Sequence, residues 1–482
     1  MNADIEAIYT LSPMQEGILF HSLYLSEPGM YFVQKAWRMP GQIDTSALKQ
    51  SWQRVIDRHS VLRTSFVWKN REKPLQVVHR QAGLPWSQED LRGLCESDRQ
   101  ERLKQLLKAD QEKGFDFAIS PLMRFLLLRL EDDLYEFIWS HHHILLDGWS
   151  AVVVLNEVYA LYQSLSKGRE VSLGLPRPFR DYIAWLRRQD LSRAGEFWTR
   201  YLKGFARPTL DATGLISREI AGVRKKDGLQ QVCLSASQSA MLRAFARDNR
   251  LTLSTLLQGV WALLLSHYSK EQDVLFGIVV SARPAELEGV ESMIGLFINT
   301  LPMRVKVNPP MRVTEWLKEI QARQFDARQF EFSALSDIHR CSEVPRGIPL
   351  FESIVVFENY PGVGRSTSED EGREALSGRA FVKNNYPITV RTIPGAQFPV
   401  EIIYDCSRVK DSSVAVMLQT IKTVLQFLFA MPGATVQEAL DGIAEKEAEH
   451  QLMIGKQVEE AGLKRLKNIR RRSVSAQRQS SK

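Results

Sequence analysis

Trp139-Ser140-His141-His142-His143-Ile144-Leu145-Leu146-Asp147-Gly148-Trp149-Ser150 is the stretch on which the reading of this chain turns. Three of the nine histidines stand side by side in it, at the end of an apolar run, Leu134–Trp139, that reads as a β-strand. Strand alternation would put His141 and His143 on one face and His142 on the other. Asp147 and Gly148 then form a turn, with Asp147 close enough to return toward the histidines, and Ser150–Ser164 follows as a helix with an apolar face through Val153, Val154, Val158 and Leu161. Upstream, Leu122–Leu130 reads as a neighbouring strand, joined by the acidic turn Glu131–Asp133. Three roles are open to these imidazoles. They are ordinary packed strand-end residues, metal ligands, or a general base at the mouth of a cleft. A metal is disfavoured, because adjacent strand residues diverge and no Asp, Glu or Cys cluster completes a shell. An imidazole titrating near pH 6.5 suits proton transfer at neutral pH.

Outward from this stretch, both halves of the chain mix helices with strands. Ala47–Arg58 has helical spacing through Leu48, Trp52, Val55 and Ile56; Tyr182–Leu186 and Phe197–Leu202 are short helices. A second cycle carries helices at Ser235–Arg250, Leu253–Tyr268, Val313–Phe330 and Ser413–Ala430. Its strands are Val274–Val280, Leu301–Val307, Ile354–Phe357, Ile388–Arg391 and Glu401–Tyr404. The pattern is α/β (α+β), without the regular alternation of a barrel or a dinucleotide-binding fold. Residues 1–180 and 181–440 are expected as two units, followed by a basic, helix-prone tail over 441–482. Gly362–Gly378, rich in Gly, Ser and Glu, reads as a surface loop.

The 482 residues are 44% hydrophobic and 25% charged, a globular composition. No apolar stretch is expected to reach the ~18 residues that span a bilayer, and Met1–Tyr9 lacks the basic cluster of a secretory signal. Cys95, Cys233, Cys341 and Cys406 are scattered, which fits a reducing cytoplasm better than a disulfide framework. The formal charge of +7 is concentrated at one end: without the eight basic residues of Gly462–Lys482 it becomes −1. A nucleic-acid-binding face would spread its charge over a surface, so that tail reads as a linker or docking segment. There is no GxGxxG, Walker loop, GxSxG elbow or HExxH.

His142-His143-x-x-x-Asp147-Gly148 resembles the HHxxxDG signature of the condensation domains of nonribosomal peptide synthetases, shared more widely with chloramphenicol acetyltransferase-like acyltransferases. Other segments match in order. Leu11-Ser12-Pro13-Met14-Gln15-Glu16-Gly17-Ile18-Leu19-Phe20-His21 resembles the N-terminal motif of that family. Arg58-His59-Ser60-Val61-Leu62-Arg63-Thr64-Ser65-Phe66 resembles RHExLRTxF, with Ser60 in place of the acid. Phe179–Trp185 resembles YxDFAVW, and Ile294–Arg304 resembles IGxFVNTxxxR. Glu331–Leu335 and Tyr404–Ser407 match the later motifs poorly. The likeness covers about residues 5–440.

The resemblance implies two chloramphenicol-acetyltransferase-like lobes in a V, a pseudo-dimer with a tunnel between them. Phosphopantetheine arms of a donor and an acceptor carrier protein enter from opposite sides, and an amide bond forms between an aminoacyl or peptidyl thioester and an amine. It implies His143 as the base or orienting group, with His142, Asp147 and Gly148 in support. It further implies that Asp147 pairs with Arg63, and that Asn299 contacts the tunnel. His21 and His59 read as packing residues, and Gln15 as a neighbour of the tunnel. The chain is expected to bind no cofactor and no metal, and no nucleic acid or membrane. Its substrates come on partner carrier proteins charged by adenylation domains elsewhere. Ester formation, epimerisation and a non-catalytic interface role are the rival readings; Met14–Gly17 resembles condensation rather than epimerisation versions. Together with Gly295–Thr300 it looks most like the subtype whose donor ends in a D-residue.

Overall fold

A computed structural model describes residues 4–24, 29–168, 170–210, 213–217, 227–359, 379–382 and 384–449. The stretch at 362–378 and, of the tail read above, residues 450–482 lie outside these residues.

The histidine stretch is built where expected. Strands β6 (Met123–Glu131) and β7 (Leu134–His142) pair antiparallel, and β7 pairs on its other side with β2 (Phe32–Pro40). With the parallel β5 (Trp86–Asp90) and a fifth strand, β12 (Arg379–Val382), they form a sheet of order β12-β2-β7-β6-β5. Helix α2 (Thr45–Arg58) begins where Asp44 accepts a hydrogen bond from the Ala47 N–H. It lays Leu48, Trp52, Val55 and Ile56 toward this sheet, and Trp52 packs against Phe125, Phe137 and Trp139 at 4.5–6.0 Å between ring centres. Helix α4 (Gly148–Lys167) lies beside α2. Helix α3 (Glu96–Lys113), which the sequence reading missed, has no fully buried residue. It sets Leu103, Leu106 and Leu107 against Leu128, Leu130 and Ile138 on the opposite face of the sheet. A small sheet, β1 (Ile5–Thr10), β4 (Leu75–His79) and β3 (Thr64–Val67), completes this half with helix α1 (Pro13–Tyr24).

The other half carries a six-stranded sheet of order β10-β9-β11-β13-β14-β8: Asn299–Lys306, Asp273–Val280, Ser353–Phe357, Ile388–Thr392, Phe398–Asp405 and Asp227–Leu234. Helix α8 (Leu253–Ser269) is buried on nearly every side. It packs between α7 (Ala236–Asp248), α9 (Val313–Arg328) and α11 (Asp411–Ala430). Helices α6 (Leu191–Leu202) and α10 (Leu335–Arg340) pack against each other and add Trp198 and Ile338 to the same core. At 20 residues and mean hydropathy 1.5, α11 is long and apolar enough to cross a membrane, contrary to the expectation of no such stretch. Its apolar side, Val414, Met417, Leu418, Ile421, Val424, Leu425 and Leu428, is packed into the core against α8, α7 and β8. That burial is what its hydrophobicity serves here.

The packing does not divide cleanly at residue 180. Helix α5 (Phe179–Leu186) and the segment Val290–Phe297 bury Phe179, Tyr182, Ile183, Met293, Ile294 and Phe297 in the first core. Strand β12 crosses over and pairs with β2 from Arg379↔Ala36 to Val382↔Val33. Without it, the N–H and C=O groups on that side of β2 would face no partner, a liability that sheet edges manage by being covered. The crossover and the inserted segment fix the two halves around the cleft between them.

Candidate active site

Strand β7 stops at His142, so the three histidines meet three environments. His141 stays on the core face, its ring 4.5 Å from that of Trp139. His142 turns to the other face, edge-on to Phe117 at 4.7 Å. Its Nδ1 accepts the Ile144 N–H at 3.2 Å, so its proton sits on Nε2, and it also bonds the Met30 backbone. His143 follows the last strand residue and lines a cleft of ≈ 550 Å³. Its Nδ1 lies 2.9 Å from the Leu146 carbonyl. A carbonyl only accepts, so Nδ1 carries the proton and Nε2 keeps its lone pair. Loss of water on burial lowers all three imidazoles below their ordinary 6.5, His141 far below and His142 to about 3. For His143 the fall is opposed by its backbone hydrogen bonds and by the charge of Asp147. His143 is therefore a neutral acceptor at pH 7. His142 has its acceptor nitrogen already used.

Asp147 is 2% exposed and caps α4 by accepting the Ser150 N–H at 2.8 Å. Its other oxygen accepts the Phe297 N–H at 3.1 Å, and Arg283 approaches the first, Oδ1, at 3.4 Å. Arg283 also bonds Ser150 Oγ and the carbonyls of Val290 and Met293, with its guanidinium 3.9 Å from the centre of the Phe297 ring. The expected partner of Asp147 was Arg63; the structure corrects this. Arg63 points away to Glu6 at 2.9 Å and to the carbonyls of Ile56, Asp57 and His79. Those bonds stitch α2 to the small sheet, and they consume the fork that was to hold Asp147. Arg283, at the exit of β9, was missed because its partner is more than a hundred residues away and nothing local marks it.

Gly148 opens α4 and borders the cleft. Asn299 also lines it, but its amide is engaged: it donates to the carbonyls of Glu331 and Ser333 at 2.8 and 2.7 Å and accepts the Thr300 N–H. That makes it first a brace of the wall. Gln15 is fully buried beneath the site, donating to the Ile144 carbonyl at 3.1 Å and accepting the Ser12 N–H, so it supports the histidine turn from α1. His59 is packed, as read, against Glu157 at 2.7 Å. His21 is not a mere packing residue: it stands on the cleft wall, 2.9 Å from the Tyr31 hydroxyl. The wall further takes Met14 and Gly17 from α1, Val279 from β9, Ile354 and Val356 from β11, Thr389 and Arg391 from β13, and Tyr386. Both halves contribute. Among the described residues, no group of three or more His, Cys, Asp or Glu is placed to hold a metal ion.

The condensation-domain family matches residues 5–452. One of the linear gramicidin synthase proteins of Brevibacillus parabrevis is 43% identical over 94% of this chain. The chain spans 6% of that relative's length, and under a tenth of two further proteins of the same synthase that it also matches. In fold it is similar to the starter condensation domain of rhizomide synthetase, with TM-score 0.73 and 16% identity over 89% of this chain and 96% of that one. A four-domain nonribosomal peptide synthetase bound to AMP and glycine contains a region of the same fold, at TM-score 0.73 and 18% identity over 90% of this chain and 34% of that one. With its histidine signature set on the wall of a cleft between two chloramphenicol-acetyltransferase-like halves, the chain belongs to the condensation-domain family of nonribosomal peptide synthetases.

Proposed function

We propose that this chain forms an amide bond between a donor aminoacyl or peptidyl thioester and the amine of an acceptor aminoacyl thioester, each held on the phosphopantetheine arm of a carrier protein. The observation that carries this reading is the neutral His143, with Nδ1 tied to Leu146 and Nε2 left as an acceptor on the wall of a cleft shared by both halves. A thioester is already activated, and a neutral amine attacks it without a covalent enzyme intermediate. An α-ammonium has a pKa of about 7.7–8.0, so a fraction of the acceptor must lose a proton before or during attack. His143 receives that proton, or holds the amine by its N–H until the proton passes on, while the acyl C–S bond breaks and the donor arm leaves as its thiol, which takes the proton up. In this reading the positive end of α4, which begins at Gly148 on the cleft, stabilises charge developing on the thioester oxygen. The reading asks for no cofactor held by this chain, and it leaves the charging of carriers to adenylation domains.

The test is intact-mass analysis of two carrier proteins after incubation with the chain, one loaded as donor and the other as acceptor. Transfer of the donor acyl group onto an amine-bearing acceptor is expected. A matched acceptor carrying a hydroxyl in place of the amine is the ester arm. Faster transfer to the hydroxyl would replace amide by ester formation, and no transfer to either would sink the catalytic reading.

A further inference from the structure

Tyr31 holds a backbone conformation that its side chain disfavours. Its φ is +55°, in the left-handed region where the Cβ of an L-residue crowds the following carbonyl. A bulky residue stays there only when its surroundings over-determine it. Here they do so from three sides. The Tyr31 carbonyl accepts the His143 N–H at 2.9 Å, one rung beyond the last β2–β7 pair, Phe32↔His142. Its ring lies edge-on to His142. Its hydroxyl donates to Asn385 Oδ1 at 2.9 Å and, with its one proton so placed, accepts from His21 Nδ1.

Asn385 belongs to the other side of the cleft. It lies on the segment that leads from the crossover strand β12 into β13, and that segment is itself braced. Asn384 donates to Thr389 Oγ1 and accepts the Tyr386 N–H. Tyr31, His21, Asn384 and Asn385 all border the cleft that His143 lines. His143 is thus held at two points. Its ring is fixed by the Leu146 carbonyl, which sets tautomer and rotation, and its backbone by the Tyr31 carbonyl, which sets where the ring stands.

Resting on the reading of His143 as the group that meets the amine, we infer that Tyr31 is a positioning residue for the reaction. It ties the backbone of His143 to Asn385 across the cleft, so the placement of the imidazole depends on the crossover segment being seated. The magnitude is sufficient, since a misplacement of about 1 Å can cost up to about a hundredfold in rate.

The experiment is single-turnover condensation with both carriers preloaded. Tyr31→Phe keeps the ring and the backbone but removes the hydroxyl. It should slow the step about three- to tenfold, the rate equivalent of one net hydrogen bond, with the KM for each carrier little changed. Asn385→Leu should match it. Asn385→Asp keeps an acceptor for the hydroxyl and should lose less rate than Asn385→Leu. The double variant Tyr31→Phe/Asn385→Leu should be no slower than the slower single one, because both break the same link. A wild-type rate in Tyr31→Phe, multiplied losses in the double variant, or equal losses in Asn385→Asp and Asn385→Leu would overturn the inference. His143→Ala is the control for the parent reading: a wild-type rate there brings down both, whereas near-complete loss leaves the Tyr31 result to stand or fall alone. If Tyr31→Phe does not fold, the two Asn385 variants decide, since both leave Tyr31 in place.

Discussion

The two sheets end at the same cleft with different chemistry. In the first, the buried strand β7 runs into His141, His142 and His143, and the chain turns at Asp147 into α4. In the second, the equally buried β9 runs out into Ser281 and Arg283, and the neighbouring strand β10 opens with Asn299. An imidazole exchanges a proton near neutral pH, while a guanidinium stays charged and serves as a fixed hydrogen-bonding fork. The first half therefore brings the group that can change its protonation state. The second brings walls, braces and the counter-charge that holds Asp147. On the proposed mechanism, similar architecture leaves the proton transfer to one side.

The strongest way to break this division is to remove one group from each side. His143→Ala should lower single-turnover condensation by about 10²–10⁴-fold, the usual contribution of a positioned acid or base, with the fold intact. Asn299→Ala should lose far less rate, because its amide is spent on Glu331 and Ser333, and should instead lower the melting temperature. Comparable rate losses in the two variants would erase the asymmetry.

The ion pairs sharpen the comparison next. Asp147 and Arg283 are 2% and 5% exposed, so removing one partner strands a buried charge, at a cost of about 3–5 kcal/mol. Arg63 pairs instead with Glu6, which is 37% exposed, and screening there shrinks the worth of the pair. In double-mutant cycles read by chemical denaturation, Asp147→Ala and Arg283→Ala should couple. Asp147→Ala and Arg63→Ala should add to within about 0.5 kcal/mol. Coupling in the second cycle would restore the pairing that the motif resemblance implied.

That error marks where sequence reading stops. The strand into the histidines, α2, α8 and β9 were legible, because each carries its own periodicity or an unbroken apolar run, and Leu48, Trp52, Val55 and Ile56 of α2 are buried as their spacing predicted. Helix α3 was not, since its charged surface hides the Leu103–Leu107 contact. Strand β12 was not either, because four residues that pair with a strand more than three hundred positions away have no local signature. For the site, HHxxxDG marked a stretch whose His143 and Asp147 the fold sets along the cleft. The partner of Asp147 and the engagement of Asn299 depend on which loops the fold returns to the cleft, and so on contacts between distant segments.

Acid should expose the first half's dependence on neutral imidazoles. His141, His142 and His143 all have lowered pKa values in the fold, so the unfolded chain binds more protons than the folded one below pH 6.5. Their stabilising contribution is complete above that pH and falls as pH drops toward the folded values. For His142, held to about 3, the loss reaches about 2 kcal/mol by pH 5. His142→Phe should flatten that part of the stability-versus-pH curve measured by denaturant titration. In the rate, the acid limb set by His143 should lie below pH 6.5. A limb centred above 6.5 that disappears in His143→Ala would contradict the lowered value.

The smallest test applies one insult to each side. A Cβ on Gly295 would stand 2.1 Å from Phe179 Cδ2, and one on Gly228 would stand 2.4 Å from Tyr404 Cζ. Both call for overpacking costs of about 1–3 kcal/mol, so Gly295→Ala and Gly228→Ala should lower the melting temperature by similar amounts. Their effects on rate should differ. The Gly295 carbonyl accepts the Asp147 N–H at 3.1 Å and the Ser150 hydroxyl at 2.8 Å, so a shift forced by Phe179 passes directly to the turn beneath His143. Gly228 pairs in β8 with Tyr404, whose hydroxyl bonds Gln230 and Asp411, and none of these four residues lines the cleft. Gly295→Ala should therefore slow single-turnover condensation, and Gly228→Ala should leave it near wild type at a temperature where both remain folded. Equal rates in the two variants would mean that the turn tolerates a shift from its neighbour, and that the site is less tightly tied to the junction between the halves than these hydrogen bonds imply.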